Sequence, residues 1–281
     1  MPPWYDRSGR LSWLKLGVFL LLLVPGLWLA LRWRLYGLGA RPFTEAILET
    51  GLWAVRFLWL SLAITPLRRL ANWPRLIVVR RMIGVAALGY AATHLLLYAI
   101  EQGDLVRVVN EIVRRTYLLI GFGALVVLVA LGLTSTDGWM RRLGGRTWRR
   151  LHRAVYAAAV LGTLHFLMQA KAALAEATLM TGLLVWLLGY RLVASPRGTP
   201  SRARLIGLAV AASVATALWE AGWYAIMKNL DGWRLLVANF DPALGPRPAA
   251  WVLASGLAVV LLVLARRSTA RPRLVAPVSS D

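Results

Sequence analysis

The sequence predicts an all-α integral membrane protein, with a bundle of six core transmembrane helices and two further helices at the C-terminus. Hydrophobic residues occupy 59% of the 281 positions, and the mean hydropathy is +0.61. Soluble domains contain only about 45–50% apolar residues. Apolar runs recur at about the 20-residue length that crosses a bilayer. Arginines are concentrated between alternate runs, which is typical of the cytoplasmic loops of membrane proteins.

Eight apolar runs divide the chain. They lie near residues 14–32, 46–65, 82–100, 117–133, 151–169, 176–193, 205–227 and 249–265. We expect a six-helix domain (1–194), a Pro/Gly/Arg-rich cytoplasmic hinge (195–204), two added helices (205–265) and a basic cytoplasmic tail (266–281). The first run lacks a small-residue cleavage site, which favours a retained span over a signal peptide.

The charge pattern predicts the orientation of the chain. The segments that follow the second and fourth runs, the hinge and the tail are richest in arginine. Because such segments stay in the cytoplasm, we expect both termini there, with the chain spanning the bacterial inner membrane. The net charge of +21 does not indicate nucleic-acid binding, since no recognition module fits between the spans.

Missing residues and motifs exclude several chemistries. The chain has no cysteine, which removes disulfides, thiolate ligation of haem and iron–sulfur clusters. No HExxH motif, P-loop or Ser/His/Asp set is present. No segment between the spans is long enough for a nucleotide-binding domain, so a redox protein of this kind would take electrons from a partner or a membrane quinol.

The three histidines lie in two of the apolar runs. His94 is in the third run, and His152 and His165 are in the fifth. At 1.5 Å per residue, His94 lies about 18 Å and His165 about 20 Å from the cytoplasmic ends of their helices. Two imidazoles at one level favour axial ligation of one haem between neighbouring helices. The alternative is a pair of interior histidines that hydrogen-bond to nearby helices.

His152 lies at the cytoplasmic rim, at the level of Arg80. It could belong to a second, inner haem site, with Arg80 as a propionate partner or unusual axial group. Alternatively, both are polar residues of a basic rim. The 13-residue step from His152 to His165 rotates by about 220° in a straight helix. The two rings therefore approach different edges, or the helix is distorted, for example near Gly162.

Two charged residues fall inside spans, where an unpaired charge costs several kcal/mol. Arg56 lies in the middle of the second span, and a haem propionate or Glu49 could pair with it. Glu220 lies in the seventh span, and the sequence indicates no partner for it.

Residues 37–192 resemble the ferric-reductase-like transmembrane family, and within it the haem-binding subunits of periplasmic protein-methionine-sulfoxide reductase systems. The resemblance is carried by ordered motifs along the chain. They are LGARPFTEAI followed by Thr50–Gly51, TPLRR at 65–69, RRMIGVAALGYAATHLLLYA at 80–99, LTSTDGWMRRLGGRTWRRLHRAVY at 133–156, and HF at 165–166.

The resemblance implies a b-type haem held by His94 and His165, with His152 matching the third family histidine. Arg80 stands where related oxidase domains carry a histidine for a second haem. The resemblance also implies FMN, a cytoplasmic flavin reductase or the quinone pool as electron donor, and delivery to an MsrP-type periplasmic molybdopterin catalytic subunit. Residues 200–281 are an addition to the six-span pattern.

The predicted function is therefore an electron-transfer subunit rather than the subunit that reduces the substrate. Two alternatives stay open at this stage. One is a self-sufficient transmembrane reductase of ferric or other metal ions. The other is a proton-coupled transporter, in which Arg56, Glu49 and Glu220 would line the path.

Overall fold

The computed structural model describes residues 2–6, 8–170, 174–194 and 199–269, and within them the chain is all-α. Eleven α-helices form in this part of the chain. They are α1 (Trp13–Tyr36), α2 (Pro42–Leu70), α3 (Ile77–Gln102), α4 (Leu105–Arg114), α5 (Thr116–Leu133), α6 (Asp137–Leu151), α7 (Val155–Gln169), α8 (Leu174–Val193), α9 (Arg202–Lys228), α10 (Gly232–Ala238) and α11 (Pro248–Thr269).

The prediction of a multi-pass membrane protein is confirmed. In the described part of the chain, eight helical segments are long and apolar enough to cross a membrane, and they coincide with the eight apolar runs. The fifth of these segments combines α6, a 3₁₀ turn at His152–Ala154 and α7. Part of the predicted hinge (195–198) and most of the tail (270–281) lie outside the described residues.

Three shorter helices occupy segments that the sequence suggested only as connections. α4 begins at Asp104, whose side chain accepts a hydrogen bond from the Val106 amide at 2.8 Å. α6 begins at Thr136 and contains the arginine-rich segment that follows the fourth span. Its helix is broken at Gly144, where φ is +71°, a conformation that favours glycine. α10 is capped by Asp231.

The core of the bundle is built around α2. This helix packs against α1, α3, α7 and α8, and half of its most apolar window is buried. α5 pairs with α7, and α3 joins them to α2. These four helices, α2, α3, α5 and α7, surround the space in which His94 and His165 lie, and Ile112 of α4 also lines it.

The added helices pack on the far side of α8. Gly182 of α8 faces Thr216 of α9 and Val252 of α11, and Gly256 of α11 faces Ala209 of α9. Small residues allow the helix backbones to approach closely. In a bilayer the hydrophobic effect does not drive helices together, and such close packing stabilises their association instead. α9 and α11 therefore extend the bundle through α8.

Alternating helix directions place the arginine-rich turns together. The α2–α3 turn, α6 and the start of α9 lie at one end of the bundle, which we term the basic end. α4, α10, the end of α7 and the start of α8 lie at the opposite end. His94 is in the last third of α3 and His165 in the last third of α7, so both are nearer the opposite end.

Candidate functional site

His94 and His165 face each other inside the four-helix group. Their ring centres are 6.1 Å apart, and the ring planes are nearly perpendicular at 82°. Both side chains line a cavity between α2, α3, α5 and α7 whose other walls are mainly aliphatic. Small residues leave this space open, namely Gly51, Ala54, Gly121, Ala124, Ala158 and Gly162. The structure thus brings together the two histidines that the sequence placed at one level.

Each ring is oriented by a backbone carbonyl of the neighbouring helix. The Nδ1 atom of His94 lies 2.8 Å from the carbonyl oxygen of Ile47, and the Nδ1 atom of His165 lies 2.8 Å from that of Tyr117. Because a carbonyl oxygen can only accept, each Nδ1 donates its hydrogen. Each Nε2 then carries a lone pair, as a metal-binding imidazole requires.

A glycine makes each of these contacts possible. Gly51 follows Ile47 by four residues, and Gly121 follows Tyr117 by four, so both lie one helical turn further on. A Cβ atom on Gly51 would lie 2.8 Å from the His94 Nδ1, and one on Gly121 would lie 2.7 Å from the His165 Nδ1. Both rings are therefore positioned by the same arrangement, a backbone carbonyl followed one helical turn later by a glycine. Sequence reasoning missed it, although a glycine inside each facing helix was a visible signal.

The separation of the rings suits one metal ion between them. Two metal–imidazole bonds of about 2.0–2.1 Å, together with roughly 1 Å from each ring centre to its nitrogen, give about 6 Å. Among the described residues, no cluster of three or more His, Cys, Asp or Glu side chains could hold a metal ion. A metal at this place would therefore need its remaining ligands from another molecule.

His152 does not join this cavity and has a different environment. Its Nδ1 lies 3.1 Å from the Trp148 carbonyl oxygen, its Nε2 lies 3.3 Å from the Ser135 hydroxyl, and its ring stacks on Trp148 with centres 3.8 Å apart. Both ring nitrogens are thus engaged. The helix is distorted at His152 itself, where a 3₁₀ turn precedes α7, and not near Gly162.

Arg56 pairs with an acid that the sequence did not indicate. Its guanidinium forms an ion pair with Glu176 at the start of α8 and lies 4.7 Å from the centre of the Trp53 ring. Of the two partners considered for Arg56, a haem propionate and Glu49, the second is wrong, because Glu49 lies 3.5 Å from Arg32 on α1. Sequence spacing along α2 could not reveal a partner on another helix.

Glu220 is also paired across helices. Its carboxylate is 2% exposed and accepts hydrogen bonds from Arg247 at 2.7 Å and from Asn239 at 3.0 Å. Glu49, Arg56 and Glu220 therefore belong to three separate ion pairs. This arrangement does not favour the single charged path that a proton-coupled transporter would need.

Comparison with known proteins agrees with this architecture. The family described as "Ferric reductase like transmembrane component" matches residues 50–163, so this part of a multi-pass membrane protein is similar to the ferric-reductase-like class. A Rhodospirillum rubrum protein named "Protein-methionine-sulfoxide reductase heme-binding subunit MsrQ" is 43% identical over 194 residues, which cover 68% of this chain and 91% of the relative. The chain belongs to the MsrQ family.

Relatives of the same name extend the comparison. The protein from Xanthomonas euvesicatoria pv. vesicatoria is 45% identical over 156 residues, covering 55% of this chain and 71% of the relative. A protein from Xanthomonas campestris pv. campestris is 46% identical over the same length. No solved structure matches the chain.

Proposed function

We propose that the chain is a haem b electron-transfer subunit of a system that repairs oxidised methionine in periplasmic proteins. The observation that carries this proposal is the pair formed by His94 and His165, with ring centres 6.1 Å apart across an apolar cavity. The names of the MsrQ relatives, which state heme binding and methionine-sulfoxide reduction, support the same function for this chain.

The residues present fit a haem. Two neutral imidazoles supply axial ligands only, and a porphyrin brings the four nitrogens that complete the coordination of iron. The cavity is lined mainly by aliphatic and aromatic side chains from α2, α3, α4, α5 and α7, which suits a flat apolar ring. When bound, haem supplies reversible one-electron chemistry, and the protein sets the ligands and surroundings that determine its potential.

The chain itself contributes orientation and exclusion of water. The carbonyls of Ile47 and Tyr117 fix the tautomer of His94 and His165, and such outer contacts raise the basicity of a metal-bound imidazole. The mainly apolar walls lower the local polarity around the site, one of the properties by which a protein sets a redox potential. Each histidine is oriented by a carbonyl that belongs to a helix backbone and not by an acidic side chain.

The orientation of the bundle suggests the direction of electron flow. We place the basic end in the cytoplasm and the chain in the inner membrane, in accord with the positive-inside rule. Electrons would enter from a cytoplasmic flavin reductase or the quinol pool and leave near the opposite end, where the histidine pair lies. The acceptor would be an MsrP-type molybdopterin subunit in the periplasm.

Two further cofactor predictions rest on the resemblance. FMN is one of them. The other is a second, inner haem near His152 and Arg80. Because both nitrogens of His152 already have partners, the contacts favour one haem, held by His94 and His165.

Replacing the histidines tests the proposal directly. We expect His94→Ala and His165→Ala each to abolish the Soret and α bands of the purified protein, since one imidazole would lose its partner across the cavity. His152→Ala is the matched control, because this side chain lies outside the cavity; it should keep haem at one equivalent by pyridine-haemochrome assay. Normal haem occupancy in both His94→Ala and His165→Ala would contradict the ligand assignment.

A second experiment separates the proposed role from direct metal reduction. Membranes that contain the chain should pass electrons to an added MsrP-type subunit and reduce a methionine-sulfoxide peptide. His94→Ala should abolish this transfer. If the chain instead reduces ferric ions equally well with and without the catalytic subunit, and gives no sulfoxide reduction with it, the metal-reductase alternative holds.

A further inference from the structure

Three arginines from three different helices converge at the basic end of the bundle. Arg191 of α8 donates to the Tyr156 hydroxyl on α7 at 2.9 Å and to the Leu62 carbonyl on α2 at 2.9 Å. Its guanidinium therefore lies between these helices. Arg80 of α3 lies within electrostatic range of Tyr156, of Arg191 and of Arg68 on α2. All three arginines are half-buried.

These charges have no carboxylate partner among the residues that the structure describes. In the described residues, no carboxylate forms an ion pair with Arg68, Arg80 or Arg191, whereas Arg56 and Arg247 each pair with a glutamate. Three like charges drawn partly out of water raise the energy of the fold unless an opposite charge joins them. The cluster is therefore built to receive an anion.

Two unused donors point to the same place. The Nε atom of Arg68 is buried without a hydrogen-bond partner. The hydroxyl of Tyr190, a residue only 2% exposed, also has no partner, and it lies within electrostatic range of Arg191 and Arg69. Buried polar groups are nearly always hydrogen-bonded in native proteins, so these two donors are available to an acceptor that joins the arginines.

We infer that Arg68, Arg80 and Arg191 form a binding site for a phosphate group. Guanidinium groups present paired N–H donors that match phosphate oxygens, and a tetrahedral anion can meet arginines from three directions, which a planar carboxylate cannot. Position in the bundle suggests two sources of that group. One is the headgroup of an anionic phospholipid in the adjoining leaflet, and the other is a soluble phosphate ester that enters from the basic end.

Binding assays on the full-length, haem-loaded protein test this inference. The purified protein is delipidated and placed in phosphatidylcholine nanodiscs with or without phosphatidylglycerol, and bound lipid is counted by native mass spectrometry. In parallel, glycerol 3-phosphate is titrated against the phosphatidylcholine sample by calorimetry. We expect one of the two probes to bind, and Arg68→Gln or Arg80→Gln to weaken it roughly 10- to 100-fold, the usual loss for a hydrogen bond between charged groups.

Arg75→Gln is the matched control, since Arg75 is exposed in the same turn and should change binding less than threefold. Arg191→Lys complements Arg191→Gln, because it keeps the charge while losing the planar set of N–H donors that reaches Tyr156 and Leu62 together. Specific retention of phosphatidylglycerol identifies the lipid source, and saturable binding of glycerol 3-phosphate identifies the soluble one.

Three results would overturn the inference. The first is equal binding of phosphatidylglycerol and phosphatidylcholine together with no glycerol 3-phosphate binding. The second is an equal loss of binding in Arg75→Gln. The third is loss of one haem equivalent in Arg68→Gln by pyridine haemochrome, which would assign the cluster to haem carboxylates. Haem content is measured on every variant, so a failure of the proposed haem function is seen separately.

Discussion

The two histidines at the centre of the bundle are held by backbone, not by side chains. An acid beside each Nδ1 would bring a negative charge into an apolar cavity, at considerable cost. A carbonyl avoids that charge and is fixed by its helix. The carbonyls of Ile47 and Tyr117 serve this purpose at equal distances of 2.8 Å. This arrangement places a steric requirement on the residue one helical turn after each carbonyl. That residue must be glycine, because a Cβ atom there would collide with the histidine ring.

Gly51→Ala and Gly121→Ala should therefore weaken haem binding although neither residue can touch iron as a ligand. Each added methyl would lie within 3 Å of a histidine ring, forcing the ring away from its carbonyl at a cost of about 1–3 kcal/mol. We expect reduced haem occupancy and a shifted α band at unchanged expression. The measurement is haem-to-protein ratio and low-temperature spectroscopy.

Gly89→Ala is the control for these variants, since a Cβ there meets no atom within 4 Å. In a helix, alanine is favoured over glycine by up to about 1 kcal/mol, so Gly89→Ala should keep full haem and equal or greater stability. Full haem and an unshifted spectrum in both Gly51→Ala and Gly121→Ala would show that the rings are seated in another way.

The sequence was sufficient to predict which side chains face each other, but not what holds them. His94 and His165 could be matched because depth in a helix follows from residue count. The contacts to Ile47 and Tyr117 depend on the rotation of α2 and α5 about their axes, and hydropathy does not define this rotation when a helix is apolar all round. The same limit explains why Glu176 and Arg247 were not identified as ion-pair partners.

At the scale of helices, length and hydropathy predicted all eight spans, because the bilayer imposes a length that is visible in the sequence. α4, α6 and α10 were missed because they are too short or too polar to meet that criterion. α4 has four valines, one leucine and one isoleucine interrupted by Arg107, Asn110 and Glu111, and α6 contains five arginines before His152. Their helical structure follows from capping residues at Asp104 and Thr136, a weaker signal than an apolar run.

The ion pair of Glu220 anchors α9 to the segment between α10 and α11. Glu220→Ala should destabilise the protein by roughly 3 kcal/mol, the lower end for loss of one partner of a buried pair, since the Arg247 side chain is 24% exposed. We expect the thermal midpoint, followed by tryptophan fluorescence, to fall while the haem spectrum at 25 °C is unchanged. The charge-free double variant Glu220→Leu/Arg247→Leu should recover much of the loss.

Two results would contradict this account of Glu220. One is a haem spectrum altered by Glu220→Ala at low temperature, which would connect the pair to the cavity. The other is an unchanged thermal midpoint, which would show that the pair contributes no stability.

At the scale of the whole molecule, the six-helix domain and the added helices have separable roles. The domain comprises α1, α2, α3, α5, α7 and α8, and the added helices are α9 and α11. Every residue that lines the histidine cavity comes from α2 to α5 or α7, whereas α9 and α11 pack on α8. Truncation after Arg204 should leave the haem spectrum intact and lower the thermal midpoint, because it exposes the small-residue face of α8. Loss of haem from a truncated protein that still inserts in the membrane would contradict this separation.

The direction of electron flow depends on which end of the molecule faces the cytoplasm, and the composition makes this measurable. The chain has no cysteine, so a single introduced thiol is the only one available for labelling. Arg75 is exposed in the α2–α3 turn of the basic end, and Asn110 is exposed on α4 at the opposite end, so Arg75→Cys and Asn110→Cys place a thiol at each end.

If basic loops remain in the cytoplasm, a membrane-impermeant maleimide should label Asn110→Cys in intact spheroplasts and Arg75→Cys only after permeabilisation. The reverse pattern would place the histidine pair on the cytoplasmic side, where it could not deliver electrons to a periplasmic subunit, and the cysteine-free parent gives the background for both measurements.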